Sequence, residues 1–162
     1  MQREASMNRS KGYDLIIERR ALYLFAKVSG PHDTLQISID YWTEIAEECF
    51  RASADRLLVL EELAEKSAAV DMAQMIRLLP QMGFKDMRIA FVDPKEDLTM
   101  LVFAEVRAME VGLTGHVFGV VEAAERWLLS DIGQAGDLRR GSTPRKLPPA
   151  RPNPSQSPTA PQ

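Results

Sequence analysis

Cysteine occurs once in the 162 residues, at Cys49, so no disulfide can form within the chain. Histidine occurs only at His32 and His116, and neither has a Cys, Asp or Glu partner at a metal-ligand spacing. No metal site is therefore expected. Long apolar runs are missing too: nothing approaches the ~18 residues of a membrane span. The first residues also lack the continuous apolar stretch of a signal peptide. Cytoplasmic residence without stable membrane insertion is the expectation. The chain has no Gly-x-Ser-x-Gly elbow, no Walker-type loop and no Gly-x-Gly-x-x-Gly after a strand pattern. Gly112-Leu113-Thr114-Gly115 precedes a strand pattern rather than a helix, which is the wrong context for a phosphate cradle. No catalytic residue and no cofactor are expected.

Positive charge is scarce where a nucleic-acid face would need it. The chain carries −3, yet the stretch from Gly133 onward holds five Lys/Arg against one Asp, and residues 1–11 hold three against Glu4. The centre is left at −9, and an acidic domain does not make the phosphate contacts that dominate nucleic-acid affinity.

Seven of the ten prolines fall in residues 133–162, where Leu138 and Leu147 are the only large apolar residues. Such a segment cannot bury enough apolar surface to offset the entropy of ordering it. Residues 133–162 are thus expected to be a disordered, Pro-rich, basic tail, and residues 1–11 a disordered head. Residues 12–132 remain for one folded domain, near the commonest domain size.

Within that domain, residues 13–18 and 21–28 are two short apolar runs at hairpin spacing. Ser29-Gly30-Pro31 breaks the pattern, with Asp33 or Thr34 placed to cap a helix beginning just after them. Leu35, Ile39, Trp42, Ala46, Cys49 and Ala52 then recur at helical spacing, giving an amphipathic helix of about five turns. Cys49 lies on its apolar stripe and reads as a packed thiol. Arg56-Leu57-Leu58-Val59-Leu60 reads as a strand buried on both faces. A second helix follows Ser67 and stops at Pro80 and Gly83, a strand covers residues 87–92, and a third helix covers residues 98–110. A last strand over residues 116–121 and a closing helix over 122–130 complete the order β-β-α-β-α-β-α-β-α. That order predicts an α/β fold: one mixed, mostly parallel sheet of about five strands with four helices.

The pattern resembles the SpoIIAA-like proteins, which share the STAS-type fold of anti-sigma-factor antagonists. The resemblance spans about 120 residues. It rests on element order, on Phe91-Val92-Asp93 ahead of a charged loop, and on the closing His116-Val117-Phe118-Gly119-Val120-Val121-Glu122-Ala123-Ala124-Glu125-Arg126-Trp127-Leu128. It implies regulation by protein contact, or binding of a small or lipid-like ligand, without catalysis. In STAS antagonists a serine in an Asp-Ser-Ser-Gly type motif opens the second major helix and is phosphorylated. Here the segment is Glu65-Lys66-Ser67-Ala68-Ala69-Val70, so Ser67 is the candidate phospho-switch, although Lys66 replaces the acid and Ala68 the second serine. Read from its own residues, Ser67 is placed to cap the helix behind it, which is the favoured reading.

Two further groups are candidates. Glu62, Asp93 and Asp97 lie near predicted strand exits, where ligands of parallel sheets sit. Adjacent Glu61 and Glu62 would point to opposite sides if the strand continues through them. The third helix carries Leu98, Leu101, Val102, Phe103, Val106 and Met109 around much of its circumference. One sheet face cannot cover all of them, so they form a candidate surface for a protein partner, a second copy of the chain, or an apolar small molecule.

Overall fold

A computed structural model describes residues 11–132; residues 1–10 of the expected head and all of the expected tail (133–162) lie outside the described residues. Lys11, assigned to the head by its polarity, is paired at 2.7 Å with Glu44.

Strands β1 (Asp14–Arg19) and β2 (Leu24–Gly30) form the antiparallel hairpin. Helix α1 (Leu35–Ala52), strand β3 (Arg56–Leu63), helix α2 (Ala69–Leu78), strand β4 (Arg88–Val92), helix α3 (Leu98–Glu110), strand β5 (Thr114–Phe118) and helix α4 (Val121–Leu128) come after it in turn. The sheet runs in the order β1-β2-β3-β4-β5, and every pair after the hairpin is parallel. Each of the three parallel connections steps the same way across the sheet. Right-handed crossovers therefore set α1, α2 and α3 side by side on one face. The other face is left for α4, which packs on β3, β4 and β5.

Strand alternation builds a core on each side. Leu57, Val59 and Leu63 of β3 join Ala26, Val28, Trp42, Ile45 and Phe84 beneath the three-helix layer. Leu58 and Leu60 join Phe25, Ala90, Val92, Ala124 and Leu128 beneath α4. This is the two-faced burial that the continuous apolar run predicts.

Helix ends obey local chemistry. The Thr34 hydroxyl accepts from Ile37 N–H and starts α1, and Asp97 accepts from Met100 N–H and starts α3. A short 3₁₀ turn, Leu79–Met82, extends α2 and ends at Gly83 with φ 104°, a left-handed conformation that glycine adopts without steric cost. The last carbonyls of α4 are met by two arginines from neighbouring strands. Arg56 donates to Leu128 O at 2.6 Å, and Arg88 donates to Trp127 O at 2.7 Å while lying 3.9 Å over the Trp127 ring.

Several boundaries shift from the sequence reading. Strand β2 begins at Leu24 and runs through Ser29 and Gly30, residues expected to break the pattern, because β1 and β3 pair with them there. Strand β3 continues to Leu63, so Glu61 and Glu62 lie inside it rather than at its exit. The last strand is Thr114–Phe118 rather than 116–121, because Asp93 N–H bonds Phe118 O and the ladder stops there.

Candidate functional site

The three helices do not fill the space over β4 and β5, from Ile89 and Leu113 at their start to Glu61 and Asp93 at the carboxyl ends of β3 and β4. A cavity of about 100 Å³ remains there, partly open to solvent. Its body is apolar: Trp42 from α1, Met72 and Met75 from α2, Leu101 and Ala104 from α3, and Phe91 from β4. Its other end is polar, set by Asp33, Glu61, Ser67, Asp93 and Glu96. This is where ligands sit in parallel sheets, because loops from successive strands converge there.

Glu61 is the unusual member. Strand alternation points it to the three-helix side, in phase with Leu57, Val59 and Leu63, and it is only 6% exposed. Tyr41 O–H donates to its Oε2 at 2.7 Å, and its other oxygen takes no hydrogen bond from any described residue. Burial, reinforced by the negative charges of Asp33 and Asp93, pushes the Glu61 carboxyl up to about 8. Burial likewise holds the Tyr41 hydroxyl well above its ordinary range, with the Glu61 charge adding to the effect.

Neighbouring loops fix the rest. Both oxygens of buried Asp93 lie 2.6 Å from Lys66 Nζ, and one also accepts from Lys95 N–H. Glu96 stands 3.9 Å from the same ammonium. Asp33 accepts from Ser38 Oγ at 3.1 Å and from Ser67 N–H at 3.0 Å, tying the start of α1 to the segment that leads into α2. Among the described residues, no group of three or more His, Cys, Asp or Glu side chains is arranged to hold a metal ion.

The expected acidic edge divides three ways. Asp93 lines the cavity, Glu62 pairs with Lys27 at 2.9 Å on the opposite face, and Asp97 is the cap of α3. The carboxylates that accompany Asp93 are instead Asp33, Glu61 and Glu96. Glu61 carried a readable signal, an acid in the inward phase of an apolar strand; Asp33 and Glu96 sit in irregular segments without one. Ser67 lines the cavity but does not cap α2, whose N-cap position is Ala68 with no side-chain hydrogen bond. A phosphate on Ser67 would meet Asp33 and Asp93 with Lys66 as the adjacent cation.

The third helix also divides. Leu101 faces the cavity, while Leu98, Val102, Val106 and Met109 are exposed, Leu98 by 75% and Met109 by 69%. Phe103 turns toward α2, bordering a groove with Val70 and Ala73, and the Arg107 guanidinium lies 5.1 Å from its ring. Cys49 is buried, and burial pushes its thiol up to about 12, away from thiolate chemistry. His32 contacts Glu65 and His116 contacts Glu105, both at the surface. No helix among the described residues is long and apolar enough to cross a membrane.

No protein-family model matches this chain, and no curated protein matches it.

Proposed function

We propose that this chain is a cytoplasmic, non-catalytic binding domain of the SpoIIAA-like, STAS type, which takes a small, largely apolar molecule between α3 and the sheet. One observation carries the reading: an apolar cavity closed at one end by a desolvated carboxyl, at the strand ends where parallel sheets bind ligands. A void lined by Trp42, Met72, Met75 and Leu101 forfeits dispersion contacts that an apolar guest restores. An acid–base pair of Glu62 and Asp93 gains no support, because Asp93 is held by Lys66 and Glu62 faces the other way.

A second reading, contact with a protein partner or a second copy of the chain, is favoured by the exposed Leu98, Val102, Val106 and Met109. Large apolar side chains ranged along one helix are where partner surfaces form. The two readings combine if an occupied cavity alters how α3 is presented, which would make the domain regulatory. Phosphorylation of Ser67 would act on the same place by crowding negative charge against Asp33 and Asp93.

Native mass spectrometry of the expressed chain, with the variant Ala104→Phe as a filled-cavity control, tests the proposal. A monomer carrying an apolar molecule that Ala104→Phe loses supports ligand binding. A bare dimer disrupted by Val102→Glu favours the partner reading. A bare monomer that no small apolar compound stabilises overturns the ligand reading and self-association alike.

A further inference from the structure

The polar end of the cavity has a charge imbalance that restricts what can enter. Asp33, Asp93 and Glu96 stand around it, and the accompanying cation, Lys66, is already held at 2.6 Å by both oxygens of Asp93. Asp33 is engaged on both oxygens, by Ser38 and by Ser67 N–H. Glu61 differs from these. It is 6% exposed, one oxygen accepts from Tyr41, and the other has no partner among the described residues although the side chain lines the cavity. Among the described residues that oxygen is not one of the fully enclosed unpaired atoms, so it borders the open space of the cavity, and a guest that brings a donor gives it a partner.

Charge selects the guest. An anionic head would meet Asp33, Asp93 and Glu96 with the nearby lysine already occupied. A bare metal ion finds no group of three ligands among the described residues. An ammonium offers three donors on a compact charge, matching a carboxyl that has one oxygen free beside other carboxylates. Size limits its stem. A cavity of ~150 Å³ lined by aliphatic and aromatic side chains holds a benzene-sized guest, and this one is about 100 Å³.

Resting on the proposed ligand-binding role, we infer that the cavity takes a small primary amine with an apolar body, its ammonium seated against Glu61 between Asp33 and Asp93. The stem then lies along Met75, Leu101 and Ala104, over Phe91.

Binding of this kind is linked to protons. The charged or titratable groups acting on Glu61 are Asp33 and Tyr41 from the start of α1, Lys66 ahead of α2 and Asp93 after β4, while Glu96 ahead of α3 and His116 on β5 line the same cavity. With its carboxyl up at about 8, Glu61 must release a proton to pair with an ammonium. Affinity therefore rises with pH, by about thirtyfold between about pH 6.5 and about pH 9, tracking the ionised fraction of one such group.

The test titrates butylamine, 1-butanol and butanoate into the full chain at those two pH values, reading tryptophan fluorescence, to which the cavity residue Trp42 contributes beside Trp127. Glu61→Gln and Ala104→Phe are run alongside, with thermal unfolding to establish that both fold. Butylamine is expected to bind at least about tenfold tighter than butanol at the higher pH, equivalent to ~1.4 kcal/mol. Butanoate is expected to bind weakest, the pH dependence to vanish in Glu61→Gln, and Ala104→Phe to bind none of the three. Butanol or butanoate binding as tightly as the amine would overturn the head-group assignment while leaving the cavity reading standing. Amine binding indifferent to pH and to both substitutions would place the amine elsewhere on the acidic surface and overturn it as well. If none of the three binds, the ligand reading itself falls.

Discussion

Glu61 makes the free protein's stability respond to pH in an unusual direction, and replacing it by Gln removes that response. Glutamine keeps the shape and still accepts the Tyr41 hydrogen bond, so near pH 5, where Glu61 is protonated in the folded chain, the two proteins should differ by less than about 1 kcal/mol. The native carboxyl titrates at about 8 against an ordinary value of 4.5. Between those values the folded state holds a proton that the unfolded chain has released. The stability of the native protein therefore falls as pH rises from about 4.5 and levels off above about 8, and the variant is spared this loss. At 1.36 kcal/mol per unit the full effect approaches about 5 kcal/mol, which water entry and relaxation around the charge reduce to a few. Urea unfolding monitored by tryptophan fluorescence at pH values near 5, 7 and 9 measures it. Glu61→Gln should overtake the native protein by about 2–4 kcal/mol at the alkaline end. Parallel stability profiles for the two proteins would refute the reasoning, since they would mean that Glu61 ionises as a solvated group does.

The same geometry has other consequences. Thr34→Ala removes a cap that accepts Ile37 N–H and should cost about 1 kcal/mol, while Ser67→Ala, which removes no cap, should cost under about 0.5 by chemical denaturation. A loss of about 1 kcal/mol at Ser67 would show that its hydroxyl caps α2 after all. Asp93→Asn strips Lys66 of its nearest carboxylate and should destabilise by about 2 kcal/mol, discounted from the fully buried case because the Lys66 side chain is 31% exposed; an unchanged unfolding midpoint would count against that pair. Val102→Glu with Met109→Lys replaces exposed residues and should leave the monomer's stability within about 0.5 kcal/mol, yet abolish any self-association seen by sedimentation.

Much of the architecture was legible because it depends on local periodicity. The 18-residue α1 arises from its apolar spacing, with Thr34 as its cap, and α3 occupies residues 98–110 as its pattern predicts. Boundaries failed where tertiary pairing overrode pattern. Strand β3 carries Glu61 and Glu62 because β2 continues beside it, pairing Val28 with Glu61 and Ser29 with Glu62. Two adjacent acids read as a strand exit when no neighbour is in view.

The residues alone determined the order of elements, the alternation that gives β3 two buried faces, and the apolar surplus of α3. Only the tertiary structure decided how that surplus divides, Leu101 into a cavity and Leu98, Val102 and Met109 into solvent. It also brought Asp33, Glu61 and Asp93 together from segments far apart in the chain. Hydrophobic period and capping act within a few residues, whereas the meeting of distant loops depends on strand order and crossover handedness, which place α1, α2 and α3 on one face and their entry loops at one end.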